Sequence, residues 1–96
     1  MRWASVERKL RRNVARIEAV REQLVVAELQ LDHFADVATD AELEAIVADS
    51  PLASAEQRDA TRSAEVMRRD RDRLRGELAR LEREQDDLLD ELANAR

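Results

Sequence analysis

Acidic residues at a regular spacing, together with the only histidine, are the groups in this sequence that could do chemistry. Asp32, Asp36 and Asp40 follow one another at intervals of four residues, Glu28 precedes them by four, and His33 lies among them. On a helix this spacing aligns the carboxylates along one side. Three interpretations follow: a divalent-cation site with oxygen ligands, an acidic surface for a partner, or a solvated face partly neutralised by arginines. The neutralising arginines would be Arg62, Arg68 and Arg69.

The sequence lacks the residues that catalysis and transition-metal binding require. The chain has no cysteine and one histidine, so a thiol nucleophile and a thiolate or multi-histidine site are excluded. A general acid/base pair needs carboxylates in a dry cleft, and the solitary Gly76 cannot form a phosphate-binding loop. We therefore predict that the protein is not an enzyme and has no cofactor, no metal site and no small-molecule substrate.

The composition is typical of long helices. Of the 96 residues, 41% are charged and 44% are apolar, with one glycine, one proline and two aromatic residues. Coiled coils have this profile. A chain of this length also buries only a modest core as a compact globule. The sequence therefore predicts a single all-α domain over residues 1–96.

Apolar residues recur at alternating intervals of three and four, from Trp3 to Ala48 and again from Ala53 to Ala95. This heptad pattern predicts a helical seam in each half. Its polar exceptions are Asn13, Gln57, Arg71 and Gln85. The alignment that places Asn13 opposite Gln85 gives a shared polar layer and sets the register. It also brings charges of opposite sign together, with Lys9 near Glu91 and Arg16 near Glu84.

The only proline marks the connection between the two halves. Pro51 suits the first position of a helix, with Ser50 as its N-cap. A connection this short makes the two helices antiparallel neighbours. The predicted fold is an antiparallel two-helix coiled-coil hairpin, with helix one over about 5–47, a turn over about 48–51 and helix two over about 51–94. Thr39-Asp40 resembles an N-cap and could begin a separate short third helix over 40–48.

A second set of apolar residues lies off the seam. These residues are Val25, Val26, Leu29, Leu43, Ile46 and Val47. A second apolar stripe on a hairpin usually packs against another helical layer. Self-association into a four-helix bundle, a helix from another protein, or residues 40–48 folded back on the hairpin could each cover it.

The sequence therefore predicts a non-catalytic coiled-coil interaction, adaptor or assembly protein that presents an acidic, partly apolar turn region to a protein partner, with a homodimer expected. The contact residues would be Val26, Leu29, Leu43, Ile46, Val47 and Leu52. Electrostatic steering would come from Asp32, Asp36, Asp40, Glu42 and Glu44. The alternatives are a transcription regulator that binds RNA polymerase through an acidic hairpin tip and a small secretion- or cytoskeleton-associated chaperone.

Charge and hydropathy limit the other partners. The net charge of −5 and the scarcity of aromatic residues argue against nucleic-acid binding, although RKLRRNVAR and RRDRDRLR are locally basic. No apolar run is long enough to cross a bilayer, and the N-terminal residues lack the apolar core of a signal peptide. A cytoplasmic location is expected, and the abundance of arginine and alanine is typical of GC-rich bacterial genomes.

Overall fold

The computed structural model describes residues 2–95 and is an all-α helical hairpin. Helix α1 spans Arg2–Ala48 and helix α2 spans Pro51–Asn94, and the two pack against each other. The described residues include no strand. The predicted fold class is confirmed, and α1 begins three residues before the predicted start at about residue 5.

A two-residue turn joins the helices, and its hydrogen bonds explain where each helix ends. The backbone N–H of Ala53 donates to the Ser50 hydroxyl oxygen at 3.2 Å, which confirms Ser50 as the N-cap of α2. The backbone N–H of Asp49 donates to the Ala45 carbonyl at 3.2 Å. Asp49 itself has a φ of 44°, the left-handed conformation that ends many helices and favours glycine.

Asp49→Gly is expected to raise the free energy of unfolding by about 0.5 to 1 kcal/mol, since glycine adopts this conformation without a Cβ clash. Urea unfolding followed by circular dichroism would measure the change. The matched control is Glu42→Gly, which also removes an exposed acidic residue near the turn, but inside α1. There glycine should cost roughly 0.5 to 1 kcal/mol. Equal destabilisation by both variants would contradict the role assigned to Asp49.

The short third helix over 40–48 does not form, because α1 continues without a break through Thr39. The Thr39 hydroxyl donates to the Ala35 carbonyl one turn earlier, at 3.1 Å. This local bond satisfies the hydroxyl inside a continuous helix. Residues 40–48 therefore do not fold back to cover the off-seam apolar stripe.

The chain comprises two compact units. The open-end unit combines Met1–Leu24 with Leu74–Arg96, and the turn unit is Val25–Arg73. In the open-end unit the buried apolar residues are all large: Val6, Ile17, Val20, Leu74, Leu81 and Leu88. Every one of them occupies a predicted seam position, and Leu81 has no exposed surface.

Asn13 is buried in the same unit, with 3% of its surface exposed. Its side-chain amide nitrogen donates to the Leu81 backbone carbonyl at 2.9 Å, so its hydrogen bond across the seam is to the backbone and not to the Gln85 side chain. The Leu81 carbonyl lies one helical turn before Gln85 and offers a fixed acceptor at the seam. The Asn13 side-chain oxygen has no hydrogen-bond partner among residues 2–95.

Ion pairs between the helices of this unit are shifted from the predicted partners. They include Arg2–Glu91 at 3.7 Å and Arg16–Glu77 at 3.9 Å. Glu84, expected near Arg16, pairs with Arg80 on its own helix at 3.6 Å. All of these side chains are partly exposed. At exposed positions, ion pairs between an arginine and one of several nearby carboxylates differ little in energy.

The turn unit has the opposite distribution of residue sizes. Its buried apolar residues are Ala27, Leu31, Ala53 and Ala64, of which only leucine is large. Nine of the twelve large apolar residues that are exposed among residues 2–95 belong to this unit. They are Val25, Val26, Leu29, Val37, Leu43, Ile46, Val47, Leu52 and Val66. The turn unit thus packs mostly small side chains inside and leaves nine of its large apolar side chains in solvent.

Candidate functional site

One face of α1 in the turn unit points away from the seam and is apolar at both ends and acidic in the middle. We call it the outer strip: Val25, Leu29, Asp32, Asp36, Asp40, Leu43 and Val47. At 3.6 residues per turn these seven residues fall within roughly 80° of arc. All seven are exposed, while the opposite side of α1 carries the buried Ala27 and Leu31.

Half of the six predicted contact residues lie on this face. Leu29, Leu43 and Val47 are 66%, 58% and 85% exposed. Helix geometry brings them together with the three aspartates that were predicted to steer a partner. Val25, at 59% exposure, completes the strip but is missing from the predicted contact set. Its spacing of four residues from Leu29 was the signal that could have included it.

The other predicted residues lie beside the outer strip or away from it. Val26 and Ile46, 53% and 72% exposed, flank it on opposite sides at roughly 80° from its centre. Glu44 lies on the same side as Val26, and Glu42 lies roughly 120° from the centre, so the helix does not bring Glu42 to this face. Leu52, 69% exposed, belongs to α2, just after the turn.

Two exposed apolar residues of the turn unit were not predicted. Val37 is 40% exposed and Val66 is 49% exposed. Each lies next to a seam position, where a sequence pattern does not distinguish a residue at the edge of the seam from one that is left in solvent.

The charge of the outer strip is not cancelled by the arginines expected to oppose it. Arg62 pairs with Asp59 at 3.7 Å and Arg69 with Glu65 at 4.0 Å, both within α2. Arg68 is exposed. The three aspartates are themselves exposed, so their charge is available to a molecule that approaches α1 from solvent.

His33 has a structural contact. Its ring meets the neighbouring Phe34 ring edge-to-face, with centroids 5.4 Å apart and planes at 71°, a favourable arrangement for two aromatic rings. Within residues 2–95, no three side chains of the His, Cys, Asp or Glu type are placed to hold a metal ion.

Comparison with known proteins gives no match: the chain fits no protein-family model, and neither a curated protein nor a solved structure is significantly similar to it. The helices of residues 2–95 contain no segment that is both apolar enough and long enough to cross a membrane.

Proposed function

We propose that the protein is a non-catalytic interaction module whose turn unit binds a protein partner through the outer strip and its apolar neighbours. The observation that carries this proposal is the inverted size distribution of the turn unit. Three alanines and Leu31 are its buried apolar residues, while its other leucines, its valines and its isoleucine are exposed. Exposed apolar side chains grouped on one helix of a small domain are typical of a surface that another protein covers.

The energetics favour a partner that also matches the charges. Full burial of a valine, leucine or isoleucine contributes about 1.5 to 3 kcal/mol. The four apolar residues of the outer strip, Ile46 and Leu52 are 58–85% exposed, so covering them would contribute about 6 to 12 kcal/mol. Association itself costs an estimated 4 to 15 kcal/mol. Because these amounts are comparable, the net affinity depends on how well the partner complements Asp32, Asp36 and Asp40.

Two kinds of partner fit the proposal. One is a different protein, which makes the chain an adaptor or assembly factor. The other is a second copy, whose turn unit would pair with the first to form a four-helix bundle. Insertion of an acidic tip into RNA polymerase receives less support, because the acidic residues of the outer strip lie along the side of α1 and Asp49 is the acidic residue at the turn itself.

Removal of the apolar contacts tests the proposal. The variant carrying both Leu29→Glu and Ile46→Glu should lose the proteins that the wild-type chain captures from native lysate, measured by quantitative mass spectrometry. Light scattering of the purified proteins would report self-association in the same experiment, as a mass that falls to that of a monomer in the variant.

The matched control is Leu89→Glu. Leu89 is also an exposed leucine, with 47% of its surface accessible, but it lies in the open-end unit. This variant should capture the same proteins as the wild-type chain and have the same mass. The proposal is wrong if all three proteins capture the same set and have the same mass.

A further inference from the structure

The outer strip reads the same from both ends. Asp36 is its centre, and identical residues lie at equal distances on either side. The symmetric pairs are Asp32 and Asp40, Leu29 and Leu43, and Val25 and Val47. At 1.5 Å per residue the strip extends about 33 Å, with the aspartates occupying the middle 12 Å or so. An occupant must therefore present apolar groups at both ends of this length and complement negative charge at its centre.

A second copy of α1 fits the apolar ends but not the centre. An antiparallel pairing about Asp36 aligns Leu29 with Leu43 of the second copy and also sets Asp36 against Asp36. Carboxylates brought together and desolvated in this way repel one another and lose hydration. A shift of one heptad places Leu43 against Asp36 instead. The strip is thus poorly suited to symmetric self-pairing over its full length.

The outer face of α2 from a second copy fits no better. It carries Arg62, Arg69 and Arg73, which would attract the aspartates, but Val66 lies in the middle of them, where the strip is acidic. The outer faces of α1 and α2 both point away from the seam, on opposite sides of the hairpin, so a contact between them is head-to-tail and does not close into a two-fold dimer.

We infer that the outer strip binds a single amphipathic helix of another protein, in which a group of basic side chains at three- and four-residue spacing lies between two pairs of apolar side chains. The apolar pairs cover Val25 with Leu29 and Leu43 with Val47, and the basic group neutralises the aspartates between them. This inference rests on the proposed function and specifies the chemistry of its partner.

Synthetic helical peptides and the full-length protein test this inference by fluorescence anisotropy. The first peptide repeats the spacing of the outer strip, with leucine opposite its apolar residues and arginine opposite its aspartates. A second peptide has glutamate in place of the arginines. A third has the same composition as the first but with leucine at the centre and arginine at the ends. The first peptide should bind about tenfold more tightly than either of the others, since a few charge pairs of modest energy add up to this factor.

Salt and the aspartates should control that preference. Binding of the arginine-centred peptide should weaken as ionic strength rises. The exposed triple variant Asp32→Asn, Asp36→Asn and Asp40→Asn should bind the arginine- and glutamate-centred peptides within about twofold of each other, because the charges that separate them are gone.

Three results would overturn the inference. These are equal binding of all three peptides, tighter binding of the leucine-centred peptide, and a wild-type mass twice that of the monomer that falls to the monomer mass on Leu29→Glu. The third result would identify a second copy as the occupant. Any of these results would still be compatible with the proposed function if capture from lysate or self-association is lost in the Leu29→Glu, Ile46→Glu variant. If that variant behaves like the wild-type chain in both measurements, the proposed function is wrong as well.

Discussion

Leu81→Ala should lower the free energy of unfolding by about 3 to 5 kcal/mol, the largest effect we expect from any single substitution. Leu81 has no exposed surface and lies in the interior of the open-end unit. Leu81→Ala loses the hydrophobic stabilisation from the side-chain atoms beyond Cβ and leaves a cavity between the two helices. Small domains are stable by only about 5 to 15 kcal/mol, so a loss of this size removes a large part of the total stability. Urea unfolding followed by far-ultraviolet circular dichroism would measure it.

Leu89→Ala is the matched control, because it makes the same substitution on the same helix. Leu89 is 47% exposed, so the variant should be destabilised by less than about 1 kcal/mol. Similar losses at both positions would contradict the burial that the structure assigns to Leu81.

Asn13→Leu should raise the free energy of unfolding by about 1 to 3 kcal/mol, since it replaces a buried carbonyl oxygen that has no partner in the described residues with apolar surface. The Leu81 carbonyl loses the Asn13 donor but lies inside α2, where it accepts the helical hydrogen bond. The two-residue turn should keep the register of the stabilised hairpin. Urea unfolding would give the energy, and sedimentation would show whether the loss of the polar residue permits association between chains.

Gln85→Leu separates the observed hydrogen bond from the predicted polar layer. If Gln85 were the partner of Asn13, its loss would leave a buried amide unsatisfied and destabilise the protein by about 1 to 3 kcal/mol. The structure has Asn13 bonded to Leu81, so Gln85→Leu should be neutral or mildly stabilising. A marked destabilisation by this variant would show that the two side chains depend on each other.

The fold could be predicted because a single periodic signal determines it. Apolar residues at alternating spacings of three and four specify which side of each helix is buried, and Pro51 with Ser50 specifies where the chain reverses. Val6, Ile17, Leu81 and the other buried residues of the open-end unit all lie at the predicted seam positions.

The errors arose where local hydrogen bonds have more than one solution. A threonine followed by an aspartate can cap a new helix or lie within an existing one, and at Thr39 the hydroxyl bonds to the carbonyl of Ala35. Likewise, a buried asparagine can meet a polar side chain or a backbone carbonyl within one helical turn of it. Heptad spacing aligns Asn13 with Gln85 but does not distinguish Gln85 from the carbonyl of Leu81.

The candidate site was predicted in outline, because residues at the outer heptad positions of α1 must face solvent in a two-helix hairpin. Which of them form one continuous surface depends on their angles around the helix. Spacings of three and four bring Val25 onto the outer strip with Leu29, and the same geometry places Glu42 roughly 120° away. Glu42, Leu43 and Glu44 are neighbours in sequence, but consecutive residues on a helix point in different directions.

Because the outer strip is symmetric about Asp36, it does not favour either direction for a helix bound along it. A partner helix running parallel or antiparallel to α1 would meet valine, leucine, three aspartates, leucine and valine in the same order. Both orientations bury the same side chains of the strip, so its own contacts do not select between them. Orientation would then be decided by residues that break the symmetry, such as the exposed Leu52 beyond the turn and the arginine-rich stretch at the far end of the turn unit. A change at Leu52 could therefore reverse the direction in which a partner lies while leaving the affinity nearly the same.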